Sequence, residues 1–186
     1  MSFAFRLIPK IAVAMAAALG MFFQINITYA ATPPSSFQII TDSEVIYCTA
    51  GPVTMTAKEK QALSEGTPIT FSWEIIMKEV NTYWINNTVG SITFIRQAIP
   101  DLISKTWLLT DSSSGISRRV RSIDEAILWL SYLDHFPTLD RSLLTAGSTY
   151  NFHIKIHIHE GEYRDSWWTD LIRFETTVGQ KEIILP

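Results

Sequence analysis

From Thr67 to Ile76 the chain alternates. "TPITFSWEII" puts Ile69, Phe71, Trp73 and Ile75 on one side and Thr70, Ser72 and Glu74 on the other. A period of two predicts a half-buried β-strand. "YNFHIKIHIH" repeats the pattern, with Tyr150, Phe152, Ile154, Ile156 and Ile158 facing one way and Asn151, His153, Lys155, His157 and His159 the other. "FQII" and "SEVIYCT" read as shorter strands, and "DLIRFETTV" as the last one. "NTYWINNTVGSITFIRQAI" reads as further strand with a turn at Asn86–Asn87. "SKTWLLTDSSSGISRRVRS" reads as a hairpin whose loop is "DSSSG".

Two stretches break the alternation. In "TMTAKEKQALSEG", Thr56 and Glu59 have capping-box spacing and Gly66 follows the last helical residue, which predicts a helix over Ala57 to Glu65. In the second, Ser122 and Glu125 repeat that spacing. Ile123, Ala126, Ile127, Leu130 and Leu133 then recur at helical intervals, so one face packs against a sheet. "DHFPTLD" is expected to end this helix.

The N-terminus has a different character. Arg6 and Lys10 precede the apolar run "IAVAMAAALGMFF", and "NITYA" ends in a small residue before "ATPPSS". That layout predicts a signal peptide over residues 1–30, cut after Ala30, then a linker over 31–36 and one domain over 37–186. If uncut, "IAVAMAAALGMFFQINI" is close to the shortest span that crosses a bilayer, and the membrane is then reached only through this segment. The expected destination is the periplasm or the medium.

Removal of that segment leaves 15 basic residues less Arg6 and Lys10 against 18 acidic ones, a formal charge of −5. Such a chain lacks the basic footprint of a nucleic-acid binder. Cys48 is the sole cysteine, so no internal disulfide forms and packing must hold the fold. Within an alternating run, Cys48 reads as a buried thiol rather than a nucleophile.

Leu144, Gly147 and Tyr150 stand three apart directly before the histidine-bearing strand. This spacing resembles the tyrosine corner of immunoglobulin-like and fibronectin type III sandwiches, in which the Tyr hydroxyl bonds back to the backbone between strands. The expected fold is therefore mainly β, an immunoglobulin-like or fibronectin type III-like β-sandwich with two short helices.

The histidines are the first candidates for chemistry. His157 and His159 lie about 7 Å apart along a strand, and strand histidines at that spacing can hold zinc. Zinc wants three or four ligands, however. Lys155 sits between His153 and His157 and repels a cation, and nothing fixes Glu160, Asp170 or Glu175 as further ligands. His135 lies far away at a helix end. No metal or other cofactor is expected. An open polar strand face suits neither acid–base catalysis nor a metal. It reads as solvated surface with Arg173 and Glu175 alongside, or as a pH-sensitive one.

Other candidates for binding are His157, Lys155, Arg173 and the pair Trp167 and Trp168, one of which could stack on a sugar or peptide. Arg118, Arg119 and Arg121 read as a solvated hairpin edge before an anion site. "NNT" at Asn86 fits a glycosylation acceptor. No "GxSxG", "HExxH" or glycine-rich phosphate loop occurs.

The order of motifs carries a wider resemblance. Gly66, Pro68, Ile69 and Phe71, then Ser122, Ile123, Glu125, Ala126 and Ile127, then Pro137, Asp140, Leu144, Gly147 and Tyr150 follow one another after the signal segment. The chain resembles an exported proteobacterial family, domain of unknown function 4390. The resemblance implies an envelope protein encoded beside a nitrogen-type sensor kinase, and it brings no catalytic residue. The chain departs from the family pattern at "HIHEGEYRDSWW", where a basic stretch and "L-D-x-x-x-L-P" are usual.

The expectation is thus a non-catalytic envelope module, not an enzyme, whose partner is another envelope or membrane signalling protein. The alternatives are a glycan- or peptide-binding module gripping with exposed Trp, and a metal-binding protein or enzyme built on His153, His157 and His159.

Overall fold

The computed structural model describes residues 36–81, 83, 85–161 and 176–185. Nine strands and two helices follow in the order β1 (Ser36–Thr41), β2 (Val45–Gly51), α1 (Ala57–Ser64), β3 (Ile69–Glu79), β4 (Asn87–Asp101), β5 (Thr106–Asp111), β6 (Ser117–Val120), α2 (Ile123–Ser131), β7 (Leu133–Asp140), β8 (Thr149–Glu160) and β9 (Thr176–Ile184). They form two antiparallel sheets. One has the order β1-β2-β7, the other β6-β5-β4-β3-β8-β9.

Alternation fixes which faces meet. Ile69, Phe71, Trp73, Ile75 and Met77 of β3 are buried beside Phe152, Ile154 and Ile156 of β8. Ile46, Cys48 and Ala50 of β2 belong to the same core. Rings join the layers: Trp73 lies parallel to Phe94 at 6.3 Å, and Phe94 stacks on Phe136 of β7 at 4.3 Å. Fully buried side chains such as Trp73, Phe71 and Phe94 each contribute roughly 1.5–3 kcal/mol, which is how a fold without a disulfide is held. At the side of the two sheets, a Cβ on Gly179 of β9 would lie 3.0 Å from the Phe37 ring, so the missing side chain lets β1 approach.

Helix α1 begins as its sequence predicts. Thr56 Oγ1 accepts from Glu59 N at 3.2 Å, and Glu59 Oε2 accepts from Thr56 N at 2.6 Å. At its end Gly66 takes φ +104° and Thr67 N donates to Ala62 O. This closes the last turn in a Schellman arrangement that a Cβ would strain.

Helix α2 differs from expectation in two ways. Ser122 Oγ accepts from Glu125 N, but the Glu125 carboxylate lies 3.6 Å from Arg118, so the predicted box is a single cap. The helix stops at Ser131; Leu133, expected on its apolar face, and "DHFPTLD", expected to end it, form β7 instead. Pro137 disguises this strand in the sequence. A proline is tolerated here because, among the described strands, β7 has one neighbour, β2, and lies at the edge of its sheet.

Smaller corrections concern boundaries. Asn87 opens β4 rather than sharing a turn with Asn86, whose Oδ1 accepts from Asn81 N. β1 starts at Ser36, one residue inside the expected linker. Before β8, Tyr150 is buried and its hydroxyl accepts from Thr145 N at 2.8 Å. Gly147 turns at φ +82° and donates to Leu185 O, and Leu144 N donates to Arg141 O. Leu144, Gly147 and Tyr150 thus build one tied corner.

Candidate functional site

The C-terminal end of α2 leaves a set of carbonyls that the helix itself cannot satisfy. The larger sheet and the segment after β2 supply the donors. Trp73 Nε1 donates to Leu130 O at 3.3 Å and Val53 N to Ser131 O at 3.0 Å. Arg96 Nη1 donates to both Trp129 O, at 3.0 Å, and Tyr132 O, at 2.8 Å. A cation at this end also meets the negative pole of the helix dipole.

Arg96 is there because of strand phase. It follows Phe94 and precedes Ala98 on the inner face of β4. Its charge is balanced by Asp111, directly across on β5, whose Oδ2 accepts from Arg96 Nε at 2.9 Å. Both side chains are nearly sealed, 12% and 8% exposed. The guanidinium carbon lies 5.0 Å from the centre of the Trp129 ring, a cation–π contact. Asp111 Oδ1 accepts from both the backbone and the hydroxyl of Ser113.

Burial lowers the Arg96 pKa below its ordinary value. Asp111 opposes that shift, and the nearby charge of Arg118 adds to it. Burial alone would raise the Asp111 carboxyl, but the bonds from Ser113 and Arg96 outweigh it and hold the group below its ordinary value.

This pair sits at the bottom of a cleft of about 590 Å³. Ile92, Ile116, Trp129, Phe136 and Pro137 give it apolar walls. Ser113, Ser114 and Arg118 stand around its polar side. Three elements therefore meet there: the inner face of the larger sheet, the end of α2, and β7. Apolar walls with a few convergent polar groups are the usual composition of a ligand site.

The histidine strand lies elsewhere. β8 is flanked by β3 and β9, and its polar face is more enclosed than the sequence suggests. His153, Lys155 and His157 are half-buried, and His159 is exposed. Across β3, His153 faces Ile76, Lys155 faces Glu74, His157 faces Ser72 and His159 faces Thr70. Lys155 Nζ lies 3.9 Å from Glu74 Oε2. Among the described residues, no carboxylate of β3 stands directly opposite a histidine in this register. Burial, then the charges of Lys78 and Lys155, lower the His153 pKa below its ordinary value. Among the described residues no three His, Cys, Asp or Glu side chains are grouped as a metal site requires.

Cys48 is buried, and burial raises its thiol pKa to about 12. It is therefore a protonated core side chain and a poor nucleophile. Arg119 reaches Asp101 at 3.3 Å on the outer side of the hairpin, whereas Arg118 turns to the cleft. Trp167, Trp168, Asp170, Arg173 and Glu175 lie outside the described residues.

Sequence reasoning missed Arg96 and Asp111. The signal was an arginine in phase with Ile92, Phe94 and Ala98, an inward position where a charge needs a partner. The partner was hidden in "DSSSG", which reads as loop.

No curated protein and no solved structure shows significant similarity to the chain. A family model does match, over residues 35–162, a span that contains every residue of the cleft. The chain belongs to the family described as Domain of unknown function (DUF4390).

Proposed function

We propose that this is an exported, non-catalytic interaction module that binds an extended segment of another envelope protein, a membrane signalling protein in the simplest case. The scaffold is read as an immunoglobulin-like or fibronectin type III-like sandwich. The order β1-β2-β7 against β3-β8-β9 follows the A-B-E and C-F-G strands of such folds, with β4, β5 and β6 extending the second sheet. The tied corner at Tyr150, at the start of the strand in the F position, supports that reading.

The observation that carries the binding role is the cleft beside β6. In the described structure β6 is an outer strand. Asp111 N donates to Ile116 O, so with alternating pairs Ile116, Arg118 and Val120 bond inward and the backbone groups of Ser117 and Arg119 point away from the sheet. An extended segment can add to such an edge while its side chains enter the neighbouring pocket. Export rests on the N-terminal segment, whose removal predicts a mature chain beginning at Ala31.

The test is site-specific photo-crosslinking in living cells. A crosslinker at Ile116, which is 61% exposed, is expected to trap a discrete envelope protein. One at Ile103, 98% exposed on the opposite end of β5, is not. Equal capture at both positions, or none at Ile116 in folded and exported protein, contradicts the proposal.

A further inference from the structure

The hydrogen-bond inventory of the cleft is unbalanced in one direction. Asp111 is spent, with Oδ2 on Arg96 and Oδ1 on Ser113. Arg96 is not. Its Nε and Nη1 donate to Asp111, Trp129 O and Tyr132 O, while Nη2 has no partner among the described residues. That nitrogen is not sealed from solvent either, since it is absent from the buried polar atoms left without a bond. A guanidinium carries five N–H donors, so two remain available here, on a side chain otherwise nearly enclosed.

Arg118 adds a second set of donors. Its contact with Glu125 is long, 3.6 Å, and both side chains are about half exposed, so little holds it in place. Ser114 Oγ accepts from Ile116 N at 3.3 Å and keeps its own hydroxyl proton to donate. Thus the groups left to meet an occupant are donors, and the charge left over is positive. The walls are aromatic and aliphatic.

We infer that the cleft recognises an acidic peptide segment, with one carboxylate bound by the free edge of Arg96 and by Arg118, and with apolar neighbours against Trp129 and Phe136. Among the residues lining the cleft, Asp111 balances one of the two arginines, and a single carboxylate matches the other, Arg118, in place of its long, exposed contact with Glu125. Its two oxygens suit a guanidinium edge, and such charge-assisted bonds are roughly twice as strong as neutral ones. This inference rests on the binding role proposed above and assigns its ligand class.

The probe is an amidated, N-acetylated heptapeptide with leucine on both sides of a central glutamate, together with its glutamine and lysine counterparts. Each is titrated to millimolar concentration into the isotope-labelled chain, and the Trp129 indole and Arg96 side-chain NMR signals are followed. The glutamate peptide is expected to shift both signals and to bind at least tenfold more tightly than the glutamine peptide. Arg118→Gln, an exposed change, should reduce that preference severalfold while the spectrum stays folded. Arg96→Lys, which keeps the charge but loses the planar edge, should abolish it. Equal binding of all three peptides at the cleft overturns the carboxylate assignment and leaves the interaction role standing. No shift in the cleft with any peptide overturns the assignment and counts against the role as well.

Discussion

Arg96 on β4 and Asp111 on β5 form a nearly sealed ion pair at 2.9 Å that ties the larger sheet to the end of α2. Removing one partner strands a charge in a place water barely reaches. Asp111→Ala is therefore expected to destabilise the fold by about 3–5 kcal/mol, read from urea unfolding at neutral pH. The pH dependence follows from the direction of the shift. Asp111 titrates below its ordinary 3.8, so its contribution is fully present above that value and is lost as pH falls through the lower folded value. The difference between wild type and Asp111→Ala should hold from pH 7 down to about pH 4 and shrink below it. A difference already lost at pH 5 would contradict the assignment.

Gly51 is the second point of close approach. It sits at φ +106°, and a Cβ there would lie 2.3 Å from the carbonyl oxygen of Ser131. Both terms oppose a side chain. Gly51→Ala is expected to cost more than about 2 kcal/mol, from backbone strain and overpacking together. Thermal unfolding measures it, with Gly115→Ala as the comparison. Gly115 also has positive φ, but a Cβ there meets nothing within 4 Å, so its loss should be smaller.

Cys48 should behave as a core residue. With its thiol pKa near 12 and no exposed surface, the native chain at pH 8 carries almost no thiolate that iodoacetamide can reach. Labelling should be at least a hundredfold slower than in urea-unfolded chain. Rapid native labelling would return Cys48 to the list of nucleophiles.

His153 predicts the behaviour of the polar strand face. Its folded pKa lies below the ordinary 6.5, pushed there by burial and by Lys78 and Lys155. The unfolded chain then binds the proton more readily, so stability falls as pH is lowered through the ordinary histidine range, until the folded group also protonates. Ile76 on β3 and Gln180 on β9 stand across from it and supply no compensating charge. His153→Gln should flatten the stability profile between pH 7 and pH 5. An unchanged profile would place that sensitivity on other groups.

Much of this architecture is legible from residue pattern because local rules and tertiary packing agree. The alternation around Trp73 and along Tyr150 to His159 matches the buried faces of β3 and β8. Thr56 and Glu59 cap α1 as their spacing predicts. The site is harder to read because it is assembled from outliers. Pro137 hides β7, since a proline argues against a strand unless the strand is known to be at an edge. Arg96 breaks an apolar face, and its justification lies 15 residues away in Asp111 and 33 to 36 residues away in the carbonyls of Trp129 and Tyr132. Periodicity reports which face a residue occupies. It does not report which carbonyls another element brings to that face. The histidines drew attention by composition, yet their register on β3 places Ile76, Ser72 and Thr70 opposite them and no carboxylate.

The most direct measurement of the cleft's role is amide hydrogen exchange of the chain alone and joined to the partner segment captured at Ile116. The account predicts protection of the β5–β6 loop, of Ser117 and Arg119 on the free edge, and of the α2 end through Pro137, with little change along β8. Protection confined to His153–His159, with the cleft unchanged, would contradict it.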